Sequence, residues 1–160
     1  MSDSPPFDLV QAHRYFSASC FNRTWAQIEN ADRTPAEDDA MVLTAAASLW
    51  HWTQRPDCTD ENLSIGHWLL SRTLALAGQG EASMRHGLRS LELAAESSSF
   101  YIGYGHEAVA RAALVLSDET SFRAHLREAE ACLTQIAEPS ERELLEPDLQ
   151  NLAQHFRNDA

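Results

Sequence analysis

Lysine is absent from this sequence, in which all 12 basic residues are arginine. A chain without lysine cannot form a Schiff base with a carbonyl substrate or with pyridoxal phosphate. It also lacks the P-loop lysine that grips nucleotide phosphates. Cysteine is scarce: Cys20, Cys58 and Cys132 are odd in number, far apart and without a CxxC pair, a pattern of reduced thiols rather than of a disulfide framework or cysteine-held zinc. No apolar run approaches the roughly 18 residues that span a bilayer, and Met1 to Phe7 carry neither the basic nor the apolar region of a secretory signal, so no membrane contact and a cytoplasmic location are expected. Basic charge is in deficit. With 24 acidic residues and a net charge of -12, the long-range field repels phosphate backbones, which argues against a nucleic-acid partner. Strand-like alternation bounded by turn residues is missing as well.

What is present is helical. Hydrophobic residues at 44% and charged residues at 22% are ordinary globular values, and 160 residues suffice for one domain, expected over 1–160 with disordered tails at 1–6 and 157–160. Apolar residues recur every three or four positions almost throughout, which predicts an all-α chain of about seven helices stacked as antiparallel pairs. The first runs from about Phe7 to Asn30. Thr34 caps a second that starts at Pro35 and continues to about Gln54. Thr59 or Asp60 caps a third reaching Ala77, and a fourth follows from Glu81 to about Ser97. A linker is expected through Ser97 to Ser99, Gly103 and Gly105, before a fifth helix to Leu116. Asp118 and Thr120 open the sixth, and Ser140 to Glu143 reads as the capping box of a seventh, kinked or shortened at Pro147. The third helix is apolar on two sides, with Leu63, Leu70 and Leu74 opposite Ile65, Trp68 and Leu69, as a helix sandwiched between neighbours must be. Leu70, Leu74, Ala112 and Leu116 are therefore expected in the core.

The segment Gly78 to Leu93, GQGEASMRHGLRSLEL, resembles the second half of a tetratricopeptide repeat, with its turn glycine and small residues at Ser83 and Ser90. An offset of 41 residues lays Ser71 on Ala112, Leu74 on Val115, Ser83 on Ala124 and Ser90 on Ala131. The strings Ala47 to Trp52, His67 to Arg72 and His106 to Ala112 are similar to a group of small bacterial helical-repeat proteins of unknown function. Those proteins carry a glycine-glutamate where this chain has Gly66-His67. The resemblance implies a tetratricopeptide-like α-α superhelix and no particular reaction.

Seven histidines (His13, His51, His67, His86, His106, His125 and His155) form neither HxxxH nor HExxH. A site drawing on His13, His51 and His67 is geometrically open, but helix-packing histidines that titrate near their ordinary values of about 6 to 7, without stoichiometric zinc, are the expectation. Trp50, Trp52 and Trp68 with Tyr101 and Tyr104 offer either core packing or an aromatic recognition surface. Arg72 on the third helix is expected to pair with Glu107 on the fifth, with Arg111, one turn beyond Glu107, as a competitor. Gly103-Tyr104-Gly105 reads as a helix-helix loop, and the acidic stretch Glu138 to Asp148 as a solvated face above inward Leu144, Leu145, Leu149, Leu152 and Phe156. No catalytic, metal or cofactor motif emerges. The candidate binding residues are therefore His13, Trp50, His51, Trp52, Trp68, Arg72, Tyr104 and Glu107. Two functions fit them: a non-enzymatic module that binds a protein or peptide on its inner-helix face, or a small-ligand sensor or hydrolase using the His, Trp and Arg cluster. A closed cavity under about 500 Å³ lined by His51, Trp68 and Arg72 would favour the ligand, and an open groove spanning all the repeats a peptide.

Overall fold

The computed structural model describes residues 6–158, the side chains of 156–158 excepted, and within them the chain is all-helical. The helices are α1 (Leu9–Glu29), α2 (Pro35–Thr53), α3 (Asp60–Leu76), α4 (Gly80–Leu93), α5 (Ser99–Val115), α6 (Glu119–Gln135) and α7 (Pro139–Asn158). Each helix from α1 to α6 packs on the next, α3 also meets α5, and α7 closes the stack against α5 and α6. The tails expected at 1–6 and 157–160 lie mostly outside the described residues, although the α7 backbone is helical through Asn158, and the inward turn expected of Phe156 lies outside them too.

Local sequence sets the boundaries. Thr34 accepts from the Glu37 N–H while the Glu37 carboxylate accepts from the Thr34 N–H, a reciprocal cap with Pro35 in the first helical position. Thr59 and Asn62 cap α3 in the same way. At α7 the expected capping box is not the start. Pro139 takes the first helical position, and the Glu138 carbonyl accepts from the Glu141 and Arg142 N–H groups. Pro147 interrupts one backbone bond without ending the helix.

Two buried serine pairs zip α3 to α4. Ser71 and Ser83 each donate a hydroxyl to the other's carbonyl at 2.8 Å, and Ser64 donates to the Ser90 carbonyl at 2.9 Å. A small side chain lets the two backbones approach, and each buried hydroxyl finds a partner in doing so.

The register between hairpins is 39 residues, not 41. Helices α3 and α5 begin at Asp60 and Ser99 and end at Leu76 and Val115, and α4 and α6 begin at Gly80 and Glu119. The positive-φ turn residues Gly78 and Ser117 obey the same offset, at 71° and 57°. It places buried on buried, Ser71 with Ala110 and Ser90 with Ala129, whereas the offset of 41 would set Ser90 on exposed Ala131. Alanines recur so densely in α5 and α6 that small-on-small matching tolerates several offsets.

Helix α5 begins six residues earlier than the glycines suggested, so Gly103-Tyr104-Gly105 is mid-helix and no loop. The glycines are contact points. A Cβ at Gly105 would stand 2.7 Å from Leu91 Cα on α4, and one at Gly103 2.8 Å from a Leu145 methyl on α7. Helix α5 is thus pressed from both sides. Helix α3 is sandwiched as expected, with Trp68, Leu69, Leu70 and Leu74 buried. Ala112 is buried too, but Leu116 is 41% exposed, because it follows the last turn of α5 and leans over Gly80.

Candidate functional site

The inner helices α1, α3 and α5 face α7 across a cavity of about 400 Å³. Helix α1 contributes Phe21 and Trp25, one turn apart, and α3 contributes Ile65 and Trp68. Phe100, Tyr101 and Tyr104 follow from α5, with Leu144 and Asp148 from α7 on the far side. Rings touch from helix to helix, Trp25 and Trp68 at 5.7 Å between centroids and Trp68 and Tyr104 edge-on at 4.9 Å, and within α5 Tyr104 meets Phe100 edge-on at 5.1 Å. Six of the eleven lining residues are aromatic, Ser64 and Ser90 complete the polar part of the wall with Asp148, and Asp148 is the one charged residue among them.

Behind the wall lies a network of four charges. Glu107 is completely buried; its Oε1 accepts from Arg111 and its Oε2 from the Trp68 indole N–H at 2.8 Å. Arg72 donates to Asp148 Oδ1 at 2.8 Å, and Arg111 also approaches that oxygen at 3.8 Å. The expected Arg72–Glu107 pair is therefore not made. Arg111, four residues along the same helix, takes Glu107, and Arg72 turns to α7 instead. Burial pulls the Arg111 pKa down, and the Glu107 and Asp148 carboxylates more than reverse it. The Tyr104 hydroxyl donates to Asp148 Oδ2 at 3.5 Å, and burial, with Asp148 and Glu107 nearby, pushes its pKa well up, so it stays a neutral donor. On the other side of the network a second cavity of about 320 Å³ is lined by the same four helices further along, with Arg72 and Arg111 in its wall.

Four of the eight candidate residues converge: Trp68 and Tyr104 on the aromatic cavity, Arg72 and Glu107 behind it. The others lie elsewhere. His13, Trp50 and His51 cluster on α1 and α2, where Trp50 is 55% exposed and meets His13 edge-on. Trp52 stacks under the Arg55 guanidinium at 3.6 Å. Sequence reasoning passed over Trp25 and Asp148. Trp25 was one ring on an amphipathic helix, though its spacing of four from Phe21 marks a shared face. Asp148 sat in an acidic run that is otherwise solvated. Leu144, expected inside, is 61% exposed at the cavity rim, while Leu145, Leu149 and Leu152 are buried.

Six of the seven histidines are paired rather than separate. His13 meets His51, His67 meets His86 and His106 meets His125, each Nδ1 to Nδ1 at 2.8 to 2.9 Å across one hairpin. In each pair one ring donates and the other accepts, which two imidazolium rings cannot do. For His51, His67, His86, His106 and His125 the expectation of ordinary titration fails, and burial is the first cause. Burial, then His86 and Arg89, lowers the His67 pKa to about 4. Burial also lowers His86, His106 and His125, the last two against an opposing pull from Glu128, and burial and His13 lower His51. His67 is thus committed to His86 and does not join His13 and His51. Among the described residues no group of three or more His, Cys, Asp or Glu side chains is placed to hold a metal ion. Burial raises the Cys58 and Cys132 thiol pKa values, the opposite of an activated nucleophile.

A pH dependence of stability follows from the pairs. The unfolded chain takes up protons at the ordinary histidine value of about 6.5, whereas folded His67 holds out to about 4. Between these values the unfolded state binds more protons, so stability is full above pH 6.5 and declines as pH falls towards 4. The His67–His86 pair should contribute on the order of 2 kcal/mol to that decline, allowing for solvent screening. Urea midpoints at pH 7 and 5 check it, and a midpoint unmoved by acid, or equally moved in His67→Leu/His86→Leu, contradicts it.

No family model matches the chain, and neither a curated protein nor a solved structure does.

Proposed function

We propose that this chain is a binding module of the tetratricopeptide-like helical class, and that its ligand is a small molecule with an aromatic or branched apolar body held in the cavity between α1, α3, α5 and α7. The observation that carries this reading is the cavity itself: about 400 Å³, within the range of small-molecule sites, walled by aromatic rings with a single convergent carboxylate. A peptide running along the whole inner face fits less well, because α7 packs against α5 on that face and its Leu144 and Asp148 help to close the cavity. A hydrolase reading has little support, since Glu107 has both oxygens engaged and Asp148 is held by Arg72. No described helix is long and apolar enough to cross a membrane. A cytoplasmic location is part of the proposal.

Isothermal calorimetry with indole tests it. Indole should bind the native protein saturably, with one site per chain. In Ile65→Trp, where a larger ring enters the cavity from its α3 wall, binding should weaken by roughly tenfold or more. Equal binding to both proteins, or none to the native one, overturns the reading.

A further inference from the structure

We infer, resting on the cavity reading above, that the ligand is an organic cation: an ammonium carried on an aromatic or branched apolar body, with its N–H donated to Asp148 Oδ2. Three features of the site carry this. First, the charges are sorted. The four-charge network is balanced, with Glu107 and Asp148 against Arg72 and Arg111, but its orientation is not symmetric. Asp148 lines the aromatic cavity, while Arg72 and Arg111 are lining residues of the second cavity and not of the first. A ligand in the aromatic cavity therefore meets the negative end of the network, where a carboxylate or phosphate would be repelled at short range.

Second, Asp148 is held in place with acceptor capacity to spare. Arg72 occupies Oδ1 at 2.8 Å, whereas Oδ2 accepts from the Tyr104 hydroxyl at 3.5 Å, long for an O–H···O bond. An ammonium at Oδ2 would make a shorter, charge-assisted bond, and the Tyr104 oxygen could then accept a second N–H. The carboxylate needs no reorganisation, because the guanidinium already fixes it.

Third, the rest of the wall suits a cation. The faces of aromatic rings carry negative quadrupole potential, and Trp25, Trp68 and Tyr104 stand beside the carboxylate. Arg72 already exploits two of these rings, its guanidinium carbon lying 5.4 Å from the Trp25 centroid and 5.6 Å from that of Trp68. The net charge of -12 adds a long-range field that draws cations towards the chain.

Three near-isosteric probes test the inference by calorimetry at neutral pH: tryptamine, tryptophol and indole-3-acetate, which share the ring and differ in the charge at the end of the side arm. Tryptamine should bind native protein roughly tenfold or more tighter than tryptophol, with indole-3-acetate weakest. In Asp148→Asn the ratio of tryptamine to tryptophol should fall to near one. Should that variant not fold, the ranking in the native protein decides alone. Tryptophol or indole-3-acetate binding as tightly as tryptamine overturns the cation assignment and leaves the cavity reading standing. Binding of none of the three overturns both.

Discussion

Glu107→Ala should destabilise the protein by about 3–5 kcal/mol, because it leaves a buried guanidinium without its partner. Glu107 is 0% exposed and ties three things together, Arg111 on its own helix, the Trp68 indole on α3 and, through Arg111, Asp148 on α7. Removing it leaves the largely buried Arg111 guanidinium with only Asp148, at 3.8 Å, and the buried indole N–H without its acceptor. The double replacement Glu107→Leu/Arg111→Met removes both charges while keeping volume, and it should recover most of the loss, since an ion pair in the interior is costly to break but cheap to replace by packed apolar groups. Urea unfolding of the two variants beside the native protein measures both. A single variant within about 1 kcal/mol of native would mean that the network is solvated and that the wall of the cavity is not held as described.

The second large effect is expected at Leu70. It is 6% exposed on α3, in the cluster formed with Leu49, Trp68, Leu69 and Leu74, and α3 has neighbours on three sides that cannot all close over a lost side chain. Leu70→Ala should cost about 2–5 kcal/mol, the transfer free energy plus that of an incompletely collapsed cavity. Leu116→Ala should cost under about 1 kcal/mol, since that side chain is largely in water already. Equal urea midpoints for the two variants would show that the burial of α3 and the exposure at the end of α5 have been assigned wrongly.

These contrasts mark where the sequence was readable. Caps at Thr34 and Thr59 and the two apolar sides of α3 are written in local spacing, because each depends on residues three or four positions apart. Trp68, Arg72, Tyr104 and Glu107 could be grouped because α3 and α5 are sequential inner helices of adjacent hairpins. The partner of Arg72 could not be read, since Asp148 lies 76 positions away on a helix whose acidic run looks solvated, and only the docking of α7 turns that one carboxylate inward. Gly103 and Gly105 misled for a related reason. A glycine in a sequence signals a turn or a close approach equally well, and which of them applies depends on what packs against it, here Leu91 and Leu145. The histidine pairs were hidden within each hairpin: His67 and His86 look unrelated until antiparallel packing brings their rings together, and the recurrence of the same pair at His106 and His125 reveals the register of 39 residues.

The four tryptophans allow the central claim to be tested at the level of single residues, because Trp25 and Trp68 line the cavity while Trp50 and Trp52 lie on other surfaces. In a ¹⁵N-labelled sample titrated with an unlabelled aromatic amine such as tryptamine, the side-chain Nε1–H signals of Trp25 and Trp68 should shift together and saturate, while those of Trp50 and Trp52 stay in place. Shifts confined to Trp50 and Trp52, or no saturable shift at any of the four, would contradict the assignment of this cavity as the binding site.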